Sequence, residues 1–228
     1  MLLLFALIPV AACQTVRPPE EAPALAEPVE LEAVVPSTAP RFVVDPQASE
    51  IRLLVYRDGP LARFGHNHVI VGQVRGEIFA GDTAATSGFR LEIPVDSFEV
   101  DPPAARTEEG AGFAAEVSEQ ARAGTRENML GAEVLDAANH QAIRVESVAL
   151  VGPRWNPTVT ARITLRGVTR ALRFPAAVFQ QDDTLAVIAT FRISQNRFGL
   201  QPFSVLGGGL LVRDAMDVRI RLVAHRAQ

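Results

Sequence analysis

From Arg41 onward the apolar residues recur every second position, and this more than any other feature limits what the chain can fold into. Ile51, Leu53 and Val55 form one such row, and Phe89, Leu91, Ile93 and Val95 a second, alternating with Arg90 and Glu92. Val159, Ala161, Ile163 and Leu165 alternate with Thr160, Arg162 and Thr164. Leu185, Val187, Ala189, Phe191 and Ile193 form a fourth row, and Met216, Val218, Ile220, Leu222 and Ala224 a fifth. Side chains on a strand point alternately to opposite faces, so each segment presents one apolar and one polar face. Repeated strands joined by short turns, such as Gln180 to Asp183, favour an antiparallel sandwich or barrel. Only closure removes exposed strand edges, so the expected fold is all-β: a closed antiparallel barrel of about eight strands, wide enough to hold one small ligand.

Two segments break the period. Residues 107–131 are rich in Ala, Glu, Gln and Arg and predict one or two short helices, with Gly124 and Gly131 as stops. Residues 199–209 (GLQPFSVLGGG) predict a flexible loop.

Ahead of the barrel, residues 14–40 hold six prolines and five glutamates and no aromatic residue. Such a stretch cannot bury enough apolar surface to offset its ordering entropy, and is expected to be an extended, mobile tether. Its 27 residues reach on the order of 80 Å in a polyproline-like form. Residues 2–12 (LLLFALIPVAA) are apolar throughout, too few for a membrane-spanning helix of about 20 residues, but of the length and small-residue exit of a signal-peptide core. No Lys or Arg precedes them, where a signal normally has a basic start.

The V-A-A-Cys13 junction resembles the lipobox of bacterial lipoproteins. The resemblance implies removal of residues 1–12, acylation of Cys13, and a lipid-anchored tether over 13–40 that leads to a domain over 41–228. Gln14, rather than Asp, follows the cysteine and resembles an outer-membrane address in the Gram-negative sorting pattern. The expected location is the cell envelope, facing the periplasm. Acylation would use the only cysteine, leaving neither a disulfide nor a thiol nucleophile.

The formal net charge of −4 and the scattered arginines give no basic stripe and argue against nucleic acid. The chain has no lysine, which excludes Schiff-base chemistry, and no G-x-S-x-G, H-E-x-x-H or P-loop motif. A non-enzymatic role is the expectation.

In order along the chain, RFVVDPQASEIRLLV, VRGEIFAGD, VDSFEVDPPAARTEEG, TRENMLGAEVLDAANHQAIRVES, LRGVTRALRFPAAV and ISQNRFGL resemble the successive segments of the YceI-like family of bacterial periplasmic and lipid-binding proteins. The resemblance implies a lipocalin-like barrel whose apolar tunnel holds a long isoprenoid chain, a polyprenyl phosphate or a quinone tail, and makes a homodimer plausible. No cofactor is implied beyond such a bound lipid.

Within the domain, Gly65-His66-Asn67-His68-Val69 is the most unusual local pattern. On a strand, His66 and His68 share a face with Ile70. Three roles are open: polar donors at a ligand mouth, structural histidines bonded to backbone, or half of a metal site completed by His140, His225 or an acidic residue. Arg106, Arg122 and Arg126 invite a phosphate clamp, but salt bridges to Glu108, Glu109, Glu116 and Glu127 are the preferred expectation. Phe64, Phe198 and Phe203 are candidate tunnel-lining rings, and Met129 and Leu130 candidate plugs packing the helix onto the barrel. The candidate ligand-binding set is therefore Phe64, His66, His68, Arg126, Met129 and Phe198. Trp155, between Pro153 and Pro157, is expected to anchor a turn. Two alternatives stand beside the lipid carrier: a metal-binding protein or metal-dependent enzyme centred on His66 and His68, and an envelope adaptor whose barrel is filled with large side chains.

Overall fold

A computed structural model describes residues 32–34, 36 and 38–227. The expected leader, Cys13 and most of the expected tether lie outside the described residues.

The alternating rows form one closed antiparallel barrel of eight strand positions. Three positions are each split into two short strands: β1 (Arg41–Val44) with β2 (Glu50–Val55), β4 (His68–Gly72) with β5 (Arg75–Phe79), and β6 (Gly88–Pro94) with β7 (Glu99–Val100). The short β3 (Arg57–Asp58) lies between the first two positions in sequence. The remaining five are continuous: β8 (Ala142–Val151), β9 (Thr158–Leu165), β10 (Val168–Gln181), β11 (Thr184–Ser194) and β14 (Ala215–Arg226). β14 closes the ring. One edge pairs with β11 from Ala215 to His225, while the other meets β2 from Asp217 to Arg221 and β1 from Ala224 to Arg226. The break between β1 and β2 is an Asx turn, in which Asp45 Oδ1 accepts from the Gln47 N–H at 2.9 Å and the Ala48 N–H at 3.4 Å. Arg166 and Gly167 both have positive φ, 49° and 75°, so β9 and β10 are joined by the tight two-residue hairpin turn that matches strand twist.

Each row faces the interior as its alternation predicts; β9 alternates strictly between half-buried and buried residues. Yet several inward side chains, among them Phe191, Ile193, Met216 and Ile220, are only half-buried although they project into the barrel. They border empty space. The interior is hollow.

The sequence-predicted helical excursion is α1 (Pro103–Glu108) and α2 (Glu119–Leu130). Ser118 caps α2, its side chain accepting from the Ala121 N–H, and Gly131 terminates it. Gly124 does not stop a helix as expected; it lies inside α2, on a side where a methyl group would meet only open space. α1 packs outside the barrel, where Ala105 and Phe113 join Leu54 and Val69 in a small second core. The expected loop over 199–209 carries the two-residue strand β12 (Ser204–Val205), which pairs with β13 (Leu210–Val212). β13 in turn pairs with β3, forming a small flap at one barrel end. The tether's described end is not free: the Val34 N–H donates to the Ser147 carbonyl at 3.0 Å, and the Ser147 hydroxyl donates to the Val34 carbonyl at 2.9 Å. The chain is therefore tied to β8 before residue 40, the boundary that composition suggested.

Candidate ligand tunnel

Among the described residues the hollow includes two apolar cavities, one toward each end of the barrel. The first, of about 370 Å³, opens at the end that carries α2 and the β3–β13–β12 flap. The second, of about 360 Å³, opens at the opposite end beside Phe79, Trp155 and Gln180. Both lie at the lower end of the range typical of small-molecule sites.

The first cavity has an aliphatic and aromatic barrel wall and a polar mouth. Phe64, His66, His68, Met129 and Phe198, five of the six sequence-predicted ligand residues, line it, and so does Phe203. Their settings differ. Phe198 is 2 % exposed and belongs to the wall, whereas Phe64 is 65 % exposed and stands at the rim under the Arg63 guanidinium, 4.5 Å away. Met129 lines the cavity from α2 and is half-buried, packed against the core as a plug should be. His66 precedes the strand instead of sharing one with His68, because β4 begins only at His68; the rings nevertheless meet edge-on with centroids 6.5 Å apart.

Arg126 is placed differently from the expectation. It does not line the cavity: its Nε donates to the Phe98 carbonyl at 2.9 Å and its Nη2 to the Asp96 carbonyl at 2.7 Å. It fastens α2 to the barrel by satisfying carbonyls at the strand break. Arg106 and Arg122 also turn away from the glutamates expected to hold them. Arg106 is 7 % exposed and donates to Asp101 Oδ1 at 2.5 Å, to the Asn67 carbonyl at 2.8 Å and to the Ala115 carbonyl at 2.7 Å. Arg122 reaches the Asp101 carbonyl at 3.5 Å. Of the expected carboxylates, Glu108 and Glu109 bind Arg52 instead, and Glu109 also binds Arg219, which clamps α1 to the barrel's outer face.

Asp101 is the residue that sequence reasoning missed. It is 1 % exposed, yet both its carboxylate oxygens are used. Oδ2 accepts from His68 Nδ1 at 2.6 Å, and Oδ1 accepts from the Val69 N–H at 2.9 Å and from Arg106. Burial pushes the Asp101 carboxyl up, but the hydrogen bonds from His68, the Val69 N–H and Arg106, with the charge of His68, outweigh it and hold the group below its ordinary value. A carboxylate can only accept, so His68 Nδ1 is the donor in this contact. The sequence held one signal, an Asp ahead of Pro102-Pro103; in the structure Asp101 adopts a left-handed φ of 54°, a conformation Asp tolerates better than most residues. Two further polar groups line the mouth. The Tyr56 hydroxyl donates to Asp217 Oδ2 at 2.8 Å, and the buried Gln195 donates from Nε2 to the Arg213 carbonyl at 2.9 Å. Burial, then the bond to Asp217, raises the Tyr56 phenol. Asp217 itself is held low, chiefly by Arg192, which donates to it at 2.7 Å.

Among the described residues no group of three or more His, Cys, Asp or Glu side chains is placed to hold a metal ion. His140 lies near Asp136, and His225 pairs with Asp45 at the far barrel end, so neither joins His66 and His68. Trp155 does not anchor its turn by burial: it is 68 % exposed and borders the second cavity.

Residues 42–224 match the family model for the YceI-like domain. No curated protein matches the chain. The fold is similar to the crystal structure of BcnA from Burkholderia cenocepacia, with a TM-score of 0.55 at 17% identity over 79% of this chain and 98% of that one. It is equally similar to a polyisoprenoid binding domain from Saccharophagus degradans implicated in plant cell wall breakdown, with a TM-score of 0.55 at 13% identity over 82% and 98% of the two chains. At these identities the likeness establishes the fold.

Proposed function

Since the chain belongs to the YceI-like family, whose domain model covers residues 42–224, we propose that it is a non-enzymatic binding protein that carries a long-chain isoprenoid lipid in its barrel. One observation carries this reading: the inward-facing residues of a complete barrel leave apolar space unfilled, with polar side chains gathered at the mouth. Burial of apolar area is non-directional and grows with contact, about 25 cal/mol per Å², so an extended cavity suits a long hydrocarbon with few directional groups. A packed barrel, the mark expected of a pure adaptor, is not what the interior presents. The polyisoprenoid binding domain of Saccharophagus degradans, with the same fold, supports the choice of an isoprenoid.

In this reading His68 and His66 meet the headgroup. Asp101 fixes the orientation of the His68 ring, and the hydrogen bonds from His68, the Val69 N–H and Arg106 together keep Asp101 charged. The test is equilibrium retention of a radiolabelled long polyprenol by the full-length chain in detergent. Saturable binding at one molecule per chain with micromolar or tighter affinity is expected; no retention would overturn the reading.

Cys13 is proposed to carry the lipid anchor and Gln14 to direct the protein to the outer membrane, with the domain in the periplasm. Replacing Cys13 by Ala is expected to move the protein from the membrane pellet to the soluble periplasmic fraction. A Cys13→Ala variant from which residues 1–12 have been removed, as shown by the mass of the intact chain, and which still sediments with membranes would show that the attachment lies elsewhere.

A further inference from the structure

The two cavities are separated by very little. Val145 on β8 and Ile220 on β14 line both of them. Between them, Phe174 on β10 borders only the second cavity and Phe191 on β11 only the first. The two rings stack with centroids 4.2 Å apart and planes inclined by 17°. Phe174 is 7 % exposed, set into the wall, whereas Phe191 is half-buried, with its other side on the first cavity. The next inward pair along the same two strands, toward the second cavity, is Ala176 opposite Ala189. Small residues there leave the space that the second cavity occupies.

From this we infer that the barrel contains one tunnel interrupted by an aromatic latch, that the second cavity is a further chamber for the distal end of a prenyl tail, and that Phe191 against Phe174 sets the chain length the protein accepts. The inference rests on the carrier reading above and deepens it. A short tail stays in the first chamber beneath the histidines. A long tail must turn Phe191 off Phe174 and pass into the second chamber. The twelve residues of β14 run most of the barrel's length, about 40 Å along the strand and roughly 30 Å along the axis at the usual tilt. A tail confined to one chamber therefore has about half the path of one that crosses.

Trp155, the only tryptophan of the chain, borders the second chamber and reports on its filling without any label. The experiment uses the full-length chain, a ladder of all-trans polyprenols from short to long, competition between chain lengths, and Trp155 emission. In the wild type, long prenols are expected to shift Trp155 emission and short ones to leave it unchanged. Phe191→Ala opens the latch and raises the retention of long over short prenols roughly tenfold, the ratio equivalent to about 1.4 kcal/mol. Phe191→Leu, which keeps more of the core volume, moves in the same direction should the alanine variant fold poorly. Ala189→Phe fills the second chamber and abolishes both long-chain preference and the Trp155 response while short prenols still bind. Binding by the wild type with the same length order in all three variants, or a Trp155 response to short prenols, would overturn the latch and leave the carrier reading standing. No retention of any prenol by the wild type would overturn the carrier reading, and the latch with it.

Discussion

Replacing Asp101 by alanine is expected to lower the unfolding free energy by about 3–5 kcal/mol, because it leaves a buried guanidinium without its counter-charge. Arg106 is 7 % exposed and keeps only backbone carbonyls once Asp101 is gone, while the Val69 N–H and His68 Nδ1 lose their acceptor. The same change frees the His68 ring, so prenol affinity should fall even in conditions where the variant is folded. The two effects are separable: urea unfolding gives the first, and prenol titration well below the midpoint gives the second. The pH dependence has a definite sign. Asp101 is held below its ordinary value in the folded protein, so it binds a proton less readily there than in the unfolded chain. Its stabilising contribution is complete above the unfolded value, near 3.8, and is lost as pH falls through the lower folded value. Wild-type stability should therefore drop below about pH 4 by an increment that Asp101→Ala lacks. An alanine variant with an unchanged urea midpoint at neutral pH would show that the buried cluster is not what holds α1 and the histidine strand in place.

Filling the first cavity from its wall should remove binding with little effect on the fold. Ile193 lies on β11, points into the cavity and is only half-buried, so the larger ring of Ile193→Trp has empty space to enter. Displacing about three methylene equivalents of a bound tail forfeits roughly 2.4 kcal/mol, on the order of fiftyfold in Kd. The matched control is Thr190→Trp, on the same strand but on the exposed outer face. It should bind as the wild type does. Wild-type affinity in both variants would place the ligand outside the barrel, whereas equal loss in both would point to a disturbance of β11 itself.

The barrel was legible in the sequence because strand geometry converts period two directly into faces. The row Leu185 to Ile193 and the row Met216 to Ala224 point inward as their alternation requires, and pair residue for residue along β11 and β14. What alternation cannot distinguish is a filled barrel from a hollow one, since both need the same apolar rows. That difference appears only in three dimensions, as the incomplete burial of Phe191, Ile193, Met216 and Ile220. The candidate site was legible in part. Phe64, His66, His68, Met129 and Phe198 converge on one cavity, although His66 does so from outside the strand expected for it. Local composition misled for the arginines. Glu109, close in sequence to Arg106, reaches across to Arg52 and Arg219, whereas Arg106 turns inward to Asp101. The Asp101–His68 contact joins residues 33 positions apart, and no period or spacing encodes it. The Phe174–Phe191 latch was hidden for the same reason: each residue is an ordinary member of its own row, and only the register of β10 on β11 sets the rings face to face.

A barrel that is a container for an isoprenoid chain should leave the cell with one inside it. The most direct measurement is native mass spectrometry of the full-length protein, released in mild detergent from the envelope of producing bacteria, beside Ile193→Trp prepared in the same way. The wild type is expected to give a species heavier by one prenyl-chain lipid, lost on collision without any change in the protein's own mass, and strongly reduced in Ile193→Trp. A wild-type spectrum holding only the unliganded protein, or one bound metal ion and no lipid, would contradict it.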